Sequence, residues 1–347
     1  MLGFEPYLDQ LYGILLGVAL TVLFEHVIVR EISIFWRKIM YKRINKHLEK
    51  LGPMLEPIKI LQAGKLGPAS VHIHIAGYKK VPKEVHNIIE AHTQQFKEQG
   101  FSNNRILSVG KILFIRKGKD EKVNIDILGY LSSYYHFLAT NANIKLRNDL
   151  TEDEKKWVIS RIPDQEHFDP NIPVDEFANP LSVEVLLLCE AGKKAVLTRR
   201  SRLTVFRGDM IGPSVMETVS PELMEGSPEK GEIDVFRTIK RGIEEELGIK
   251  EHELKHIYIT SLDFDKEVFD YKFTAIATTY LSEAEIKRRY ELAVPKDKYE
   301  NTELLFLNFP VSKREIGKLY GKLSPEAVAC IHVAAEIQKN WIPSEEL

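Results

Sequence analysis

Gly226-Ser-Pro-Glu-Lys-Gly-Glu232, then eight residues, then Arg241-Gly-Ile-Glu-Glu-Glu-Leu-Gly-Ile249 is the stretch on which the reading of the fold turns. Asp234 is placed to cap a helix and Gly248 to end it. A helix advances about 100° per residue, so positions three and four apart share a face. Positions 242, 245 and 246 therefore group together, while Glu244 is rotated away. Arg241, four residues before Glu245, can hold a carboxylate in place and relieve repulsion between neighbouring acids. Carboxylates converging from a loop and a helix are what Mg²⁺ or Mn²⁺ needs when it keeps waters and takes its remaining ligands from substrate phosphates. Glu232, Glu245 and Glu246 are the candidates for that role. The alternative is a solvated acidic helix face, which an isolated Glu-Glu-Glu run ordinarily is.

These segments resemble the Nudix box, which reads Gly, five residues, Glu, seven residues, Arg-Glu, an aliphatic, any residue, Glu-Glu, any residue, Gly, aliphatic. Gly226, Glu232, Arg241, Ile243, Glu245, Glu246, Gly248 and Ile249 match it, with eight residues rather than seven between Glu232 and Arg241. Gly242 stands where the family has Glu. Residues 212–221, Gly-Pro-Ser-Val-Met-Glu-Thr-Val-Ser-Pro, replace its tight Pro-Gly-Gly turn. The flanks also resemble the family. Residues 182–190 read as a buried strand, 191–194 as a hairpin turn and 195–200 as a second strand ending in Arg199 and Arg200. A strand-rich stretch at 257–280, another strand at 299–307 and a closing helix at about 324–341 follow in the family's order.

The resemblance implies an α/β chain with a Nudix-type α/β/α sandwich and mixed sheet over residues 181–347. It implies metal-assisted attack of water on a pyrophosphate bond in a nucleoside diphosphate derivative. Mg²⁺ or Mn²⁺ would be held by Glu232, Glu245 and Glu246, with Arg241, Glu245, Glu246 and Glu303 as the catalytic set. Glu303 is the choice for general base over Glu267 and Glu300. Arg199 and Arg200, with Arg202 and Arg207 nearby, offer paired guanidinium donors to substrate phosphates; a solvated basic strand end is the alternative. Gly242 leaves two readings open, because glycine inside a helix costs roughly 1 kcal/mol relative to alanine. In one, the bare backbone admits a ligand or another backbone. In the other, the chemistry has lapsed, leaving slow turnover or a nucleotide-binding sensor.

Residues 11–29 are apolar apart from Thr21, Glu25 and His26, and as a helix would be about 28 Å long, enough to span a bilayer. Glu5 and Asp9 precede the segment; Arg30, Arg37, Lys38, Lys42, Arg43, Lys46 and Lys50 follow it. That asymmetry predicts a single-pass membrane protein with the bulk of the chain cytoplasmic. The absence of a basic start and of a small-residue cleavage site argues against a signal peptide; a buried helix of a soluble domain is the bland alternative.

The remaining organisation follows from local patterns. Residues 1–30 form the anchor, 31–59 a basic juxtamembrane helix, 60–165 a small α+β domain, 166–180 a proline-bearing linker and 181–347 the Nudix-like domain. Within the small domain, Val71 to Ile75 alternates as a strand, Pro82 to Gln99 reads as a helix stopped by Gly100, and Thr151 opens another helix with a capping box. His72 and His74 would share a strand face, where a structural role outweighs metal binding without a third ligand. With 347 residues, 28% charged residues and net charge near −2, nothing favours nucleic acid as a partner. A small nucleotide-type molecule, the bilayer and a second copy of the chain are the partners the reading allows. Cys189 and Cys330 sit in apolar runs and supply neither a disulfide framework nor a zinc pattern.

Overall fold

Alternation of apolar and polar residues, interrupted at bulges, lays down two sheets. The computed structural model describes residues 58–117, 122–141, 150–162, 169–202, 204, 207–221, 232–292, 300–319 and 321–341. In chain order the first part runs β1 (Ile58–Leu66), β2 (Val71–Tyr78), α1 (Lys83–Glu98), β3 (Arg105–Lys117), β4 (Lys122–Ser133), α2 (Tyr134–Thr140) and α3 (Glu152–Ile159). The second runs β5 (Leu181–Cys189), β6 (Lys194–Arg200), β7 (Ile211–Gly212), β8 (Val215–Thr218), α4 (Val235–Leu247), β9 (Leu254–Asp265), β10 (Asp270–Thr279), α5 (Glu283–Leu292), β11 (Asn301–Asn308), α6 (Lys313–Lys318) and α7 (Pro325–Trp341).

The large sheet has eight strands in the order β1-β9-β10-β5-β6-β11, with β7 paired to β6 and β8 to β5. It is mixed: β10 and β5 run parallel, while β9–β10, β5–β6, β5–β8 and β6–β11 are antiparallel. Its two faces are read directly from β5 and β10. Val183, Val185, Tyr271 and Phe273 enter one buried cluster with Ile239, Ile243 and Leu247 of α4. Leu186, Leu188 and Ile276 enter another with Val328, Ile331 and Val333 of α7. Helices therefore cover both faces of a mixed sheet, as the sequence led us to expect.

A second sheet, β2-β4-β3, is built from a parallel pair and a long hairpin. It backs onto α1, whose Val85, Ile88 and Phe96 are buried. The α3 capping box is formed between Thr151 and Glu154, and Gly100 after α1 adopts φ +85°. This unit is not set apart from the large one. Leu107 N donates to Val219 O (3.1 Å) and Val109 N to Asn179 O (2.8 Å), and Ile73, Val85 and Leu107 share a single buried cluster with Val183 and Phe273.

The division at residue 60 fails to describe β1. Expected at the start of the small domain, β1 is the edge strand of the large sheet, antiparallel to β9 from Ile58↔Asp265 to Leu66↔Ile259. Its sequence hides this because the register slips between Ile60 and Gln62 and again between Ala63 and Leu66. Each slip shifts which side chains face the core, so the period of two is lost. Among the described residues no helix is long and apolar enough to cross a membrane. The expected anchor at 11–29 lies outside them, as do 226–231 of the quoted loop.

Candidate functional site

The helix α4 forms where its caps predict. Asp234 accepts from Phe236 N at 2.9 Å, and Gly248 ends the helix in the left-handed conformation at φ 69°. Its buried stripe is Phe236, Ile239, Gly242, Ile243, Glu246 and Leu247, the i, i+3, i+4 pattern of a core-facing helix. Positions 242 and 246 thus face the sheet, Glu245 lies at the rim with 36% of its side chain exposed, and Glu244 points to solvent.

Gly242 lies against β8. A Cβ at that position would sit 2.7 Å from Val215 Cγ1 and 3.2 Å from Glu217 Cβ, closer than packed carbons tolerate. Of the two readings of this glycine, close backbone approach is the one the packing supports. The space residue 242 would need is filled by Val215 and by Glu217, which the sequence did not single out.

Glu217 and Arg241 form an ion pair of 2.6 Å, each with 21% of its side chain exposed. Arg241 Nε, itself buried, stands 3.9 Å from Glu245. Glu246 is almost wholly buried and accepts from Met216 N at 3.1 Å and from Asn301 Nδ2 at 2.7 Å. Burial, reinforced by the charges of Glu217 and Glu300, pushes its carboxyl well above the usual range. Arg200 and the Met216 bond only partly oppose this. Burial thus favours the protonated form of Glu246. Asn301 Oδ1 is buried and accepts no hydrogen bond from the described residues. Amide orientation is set by the network, so turning Asn301 over would let that oxygen accept from a protonated Glu246.

The other expected site residues disperse. Glu232, 72% exposed, lies 3.5 Å from His74 of β2. Arg199 and Arg200 are successive strand residues and point to opposite faces. Arg199 pairs with Glu303 at 3.0 Å, and Glu303 is 56% exposed, so the expected general base is occupied at a sheet edge. Arg200 Nη1 approaches Met216 Sδ at 3.5 Å, on the Glu246 side. Arg202 pairs with Asp209 at the surface. Among the described residues no three His, Cys, Asp or Glu side chains are grouped to hold a metal ion. The expected trio of Glu232, Glu245 and Glu246 is thus not gathered round one point: the first belongs to the β2 edge, the second to the Arg241 pair, and the third is spent on the backbone of β8.

Arg207, also offered to phosphates, turns instead beneath the sheet. It adopts φ 56° and reaches Glu267 (2.7 Å), Glu326 (3.4 Å) and Asp265 (3.7 Å). There Lys272, 1% exposed, lies 3.0 Å from both Glu184 and Glu326 and 3.3 Å from Asp265. Burial raises Glu184 to about 8, Asp263 and Asp270 to about 7 and Asp265 to about 6. Burial opposes ionisation of Glu326 too, but Lys272 and Arg207 overcome it and hold that carboxyl below its ordinary value. The strand pattern gave no sign of this cluster, because its members alternate with apolar residues that face the other way.

Asn301 and Glu217 are the site residues the sequence reading missed. Nothing in their spacing marks them, since strands far apart in sequence bring them to α4. An open depression of about 320 Å³ lies at the α4 N-terminal end beside Phe236, Lys240, Lys255 and His256, and no expected site residue lines it.

No protein-family profile matches the chain, and no curated protein matches it. Among solved structures it is similar to DR0079 from Deinococcus radiodurans (13% identity, 45% of this chain and 82% of that one, TM-score 0.31). It is similar also to a MutT protein from Methanosarcina mazei Go1 (18%, 46% and 95%, TM-score 0.28) and to a mutT/nudix family protein from Listeria innocua (14%, 45% and 90%, TM-score 0.27). Likenesses this distant carry no weight for function.

Proposed function

We propose that residues 181–347 are a Nudix-type module that binds a nucleoside diphosphate derivative without hydrolysing it. The observation that carries this reading is the seating of Gly242 on β8, which leaves no room for a carboxylate on the helix at that position. Glu246 adds to it, being buried and committed to Met216 and Asn301. The residues present do not fit a divalent cation held in the manner the box resemblance implies, so no hydrolytic step is derived through one. What these residues do is lock α4 to β8 and β11, with Arg200 and Arg241 carrying positive charge on the same side.

A second reading, weakened hydrolysis, is favoured by Glu217, which brings a carboxylate from β8 to the place where residue 242 supplies none. Isothermal calorimetry with a panel of nucleoside diphosphate derivatives, run beside a phosphate-release assay in Mg²⁺ or Mn²⁺, separates the two. Binding without release supports the module reading, release that Glu217→Gln abolishes supports the second, and binding of no member of the panel rejects both. The chain is further proposed to be held at a bilayer by residues 11–29 with the module on the cytoplasmic side. Carbonate extraction and protease protection of the full-length chain test this.

A further inference from the structure

We propose that Arg241 is the resident cation of the box helix, standing where a divalent metal would otherwise neutralise Glu217 and Glu245. The inference rests on the module reading above and concerns what supplies positive charge to that site.

Glu217 gives Oε1 to Arg241 Nη2 at 2.6 Å, and Glu245 Oε2 lies 3.9 Å from Arg241 Nε. That nitrogen is buried and makes no hydrogen bond, so its attraction to Glu245 is coulombic. Glu246 is turned away from the pair: both of its oxygens are engaged, one with the backbone of β8 and the other with Asn301. Glu232 is at the β2 edge beside His74, and Gly242 has no side chain to offer. Among the described residues the acids paired with Arg241 are Glu217 and Glu245, and the guanidinium lies between them.

Arginine is suited to permanence in this role. A lysine crowded by an incoming metal ion can lose its proton, whereas a guanidinium stays charged and cannot step aside that way. Its planar fork also matches a carboxylate in two directions. A dication entering the pair would have to break the Glu217 contact and leave Arg241 charged, mostly buried and beside a like charge. Gly242 packs directly against Val215 and Glu217 of β8, so the strand that carries Glu217 is seated on the helix that carries Arg241.

The test is a titration of the purified full-length chain with Mn²⁺ alone, following free Mn²⁺ by electron paramagnetic resonance. Wild type is expected to show no saturable site. Arg241→Gln, checked for folding by circular dichroism, is expected to gain one at least about tenfold tighter than any wild-type binding. Adding Glu217→Gln to that variant is expected to remove the gain. Arg241→Lys keeps a cation and should bind Mn²⁺ less well than Arg241→Gln. Saturable binding to wild type that is lost in the Glu217→Gln, Glu245→Gln double variant overturns the proposal, and needs no Arg241 variant to fold. So does a folded Arg241→Gln chain that gains nothing. Nucleotide calorimetry addresses the module reading separately, so each can fail without the other.

Discussion

Two clusters of acids lie on opposite faces of one sheet, and the difference between them shows how depth decides what a carboxylate does. Around α4 the acids sit at a rim: Glu217 and Glu245 keep partial exposure and share Arg241. Beneath α7, Glu184, Asp263, Asp265, Asp270 and Glu326 are buried round Lys272 and Arg207. Two cations cannot neutralise five ionised acids, so several of the buried ones keep their protons, as their raised values express. At the rim one arginine nearly suffices. A sequence shows only that acids are present, whereas their depth sets which are charged.

The largest expected effect breaks the deep cluster. Lys272→Met removes the central ammonium and leaves Glu184, Glu326 and Asp265 without it; urea unfolding should show a loss of about 3–5 kcal/mol. Next comes the rim. Gly242→Glu forces a side chain into the space held by Val215 and Glu217 and should cost about 1–3 kcal/mol by the same measurement. Val215→Ala in the same chain should return part of that loss, because it removes the closest contact.

The pH dependence sharpens the contrast. The folded values of Glu184, Asp263 and Asp270 lie above those of the unfolded chain, so the folded state holds extra protons. The stability this contributes is complete below the ordinary carboxylate range, about pH 4, and is lost as pH rises through about 7 to 8. Denaturation midpoints should fall between about pH 4 and 8 and level off above that range, and Glu184→Gln should flatten the upper part of that fall. The smallest effect is expected at Glu246→Gln. An amide can donate to Asn301 Oδ1 and accept from Met216 N as the neutral acid does, so stability should change by less than about 1 kcal/mol. A far larger loss would show that Glu246 is charged.

Much of the frame was legible beforehand, for identifiable reasons. The strand β5 carries an unbroken apolar run from Val185 to Cys189, and α4 and α3 have side-chain caps, so their places follow from local chemistry. The site was only half legible. Its helix could be placed from Asp234 and Gly248, and the orientation of Glu244 away from the sheet was correct. What α4 packs against could not be read, because Glu217 and Asn301 reach it through strand pairing across long stretches of chain. Gly242 was noticed for the side chain it lacks, yet its role is explained by a contact with Val215. The division at residue 60 cuts through β1, whose slipped register masked its membership of the large sheet.

That edge strand has a mechanical meaning. Whatever holds the chain ahead of Ile58 pulls on the main body directly, and the hairpin unit of β3 and β4 is off the line of force. The first rung to bear a load is Ile58 opposite Asp265, one of the acids beside Lys272. A tug at the N-terminal side would therefore load the strand rung that carries Asp265, a partner of the buried Lys272.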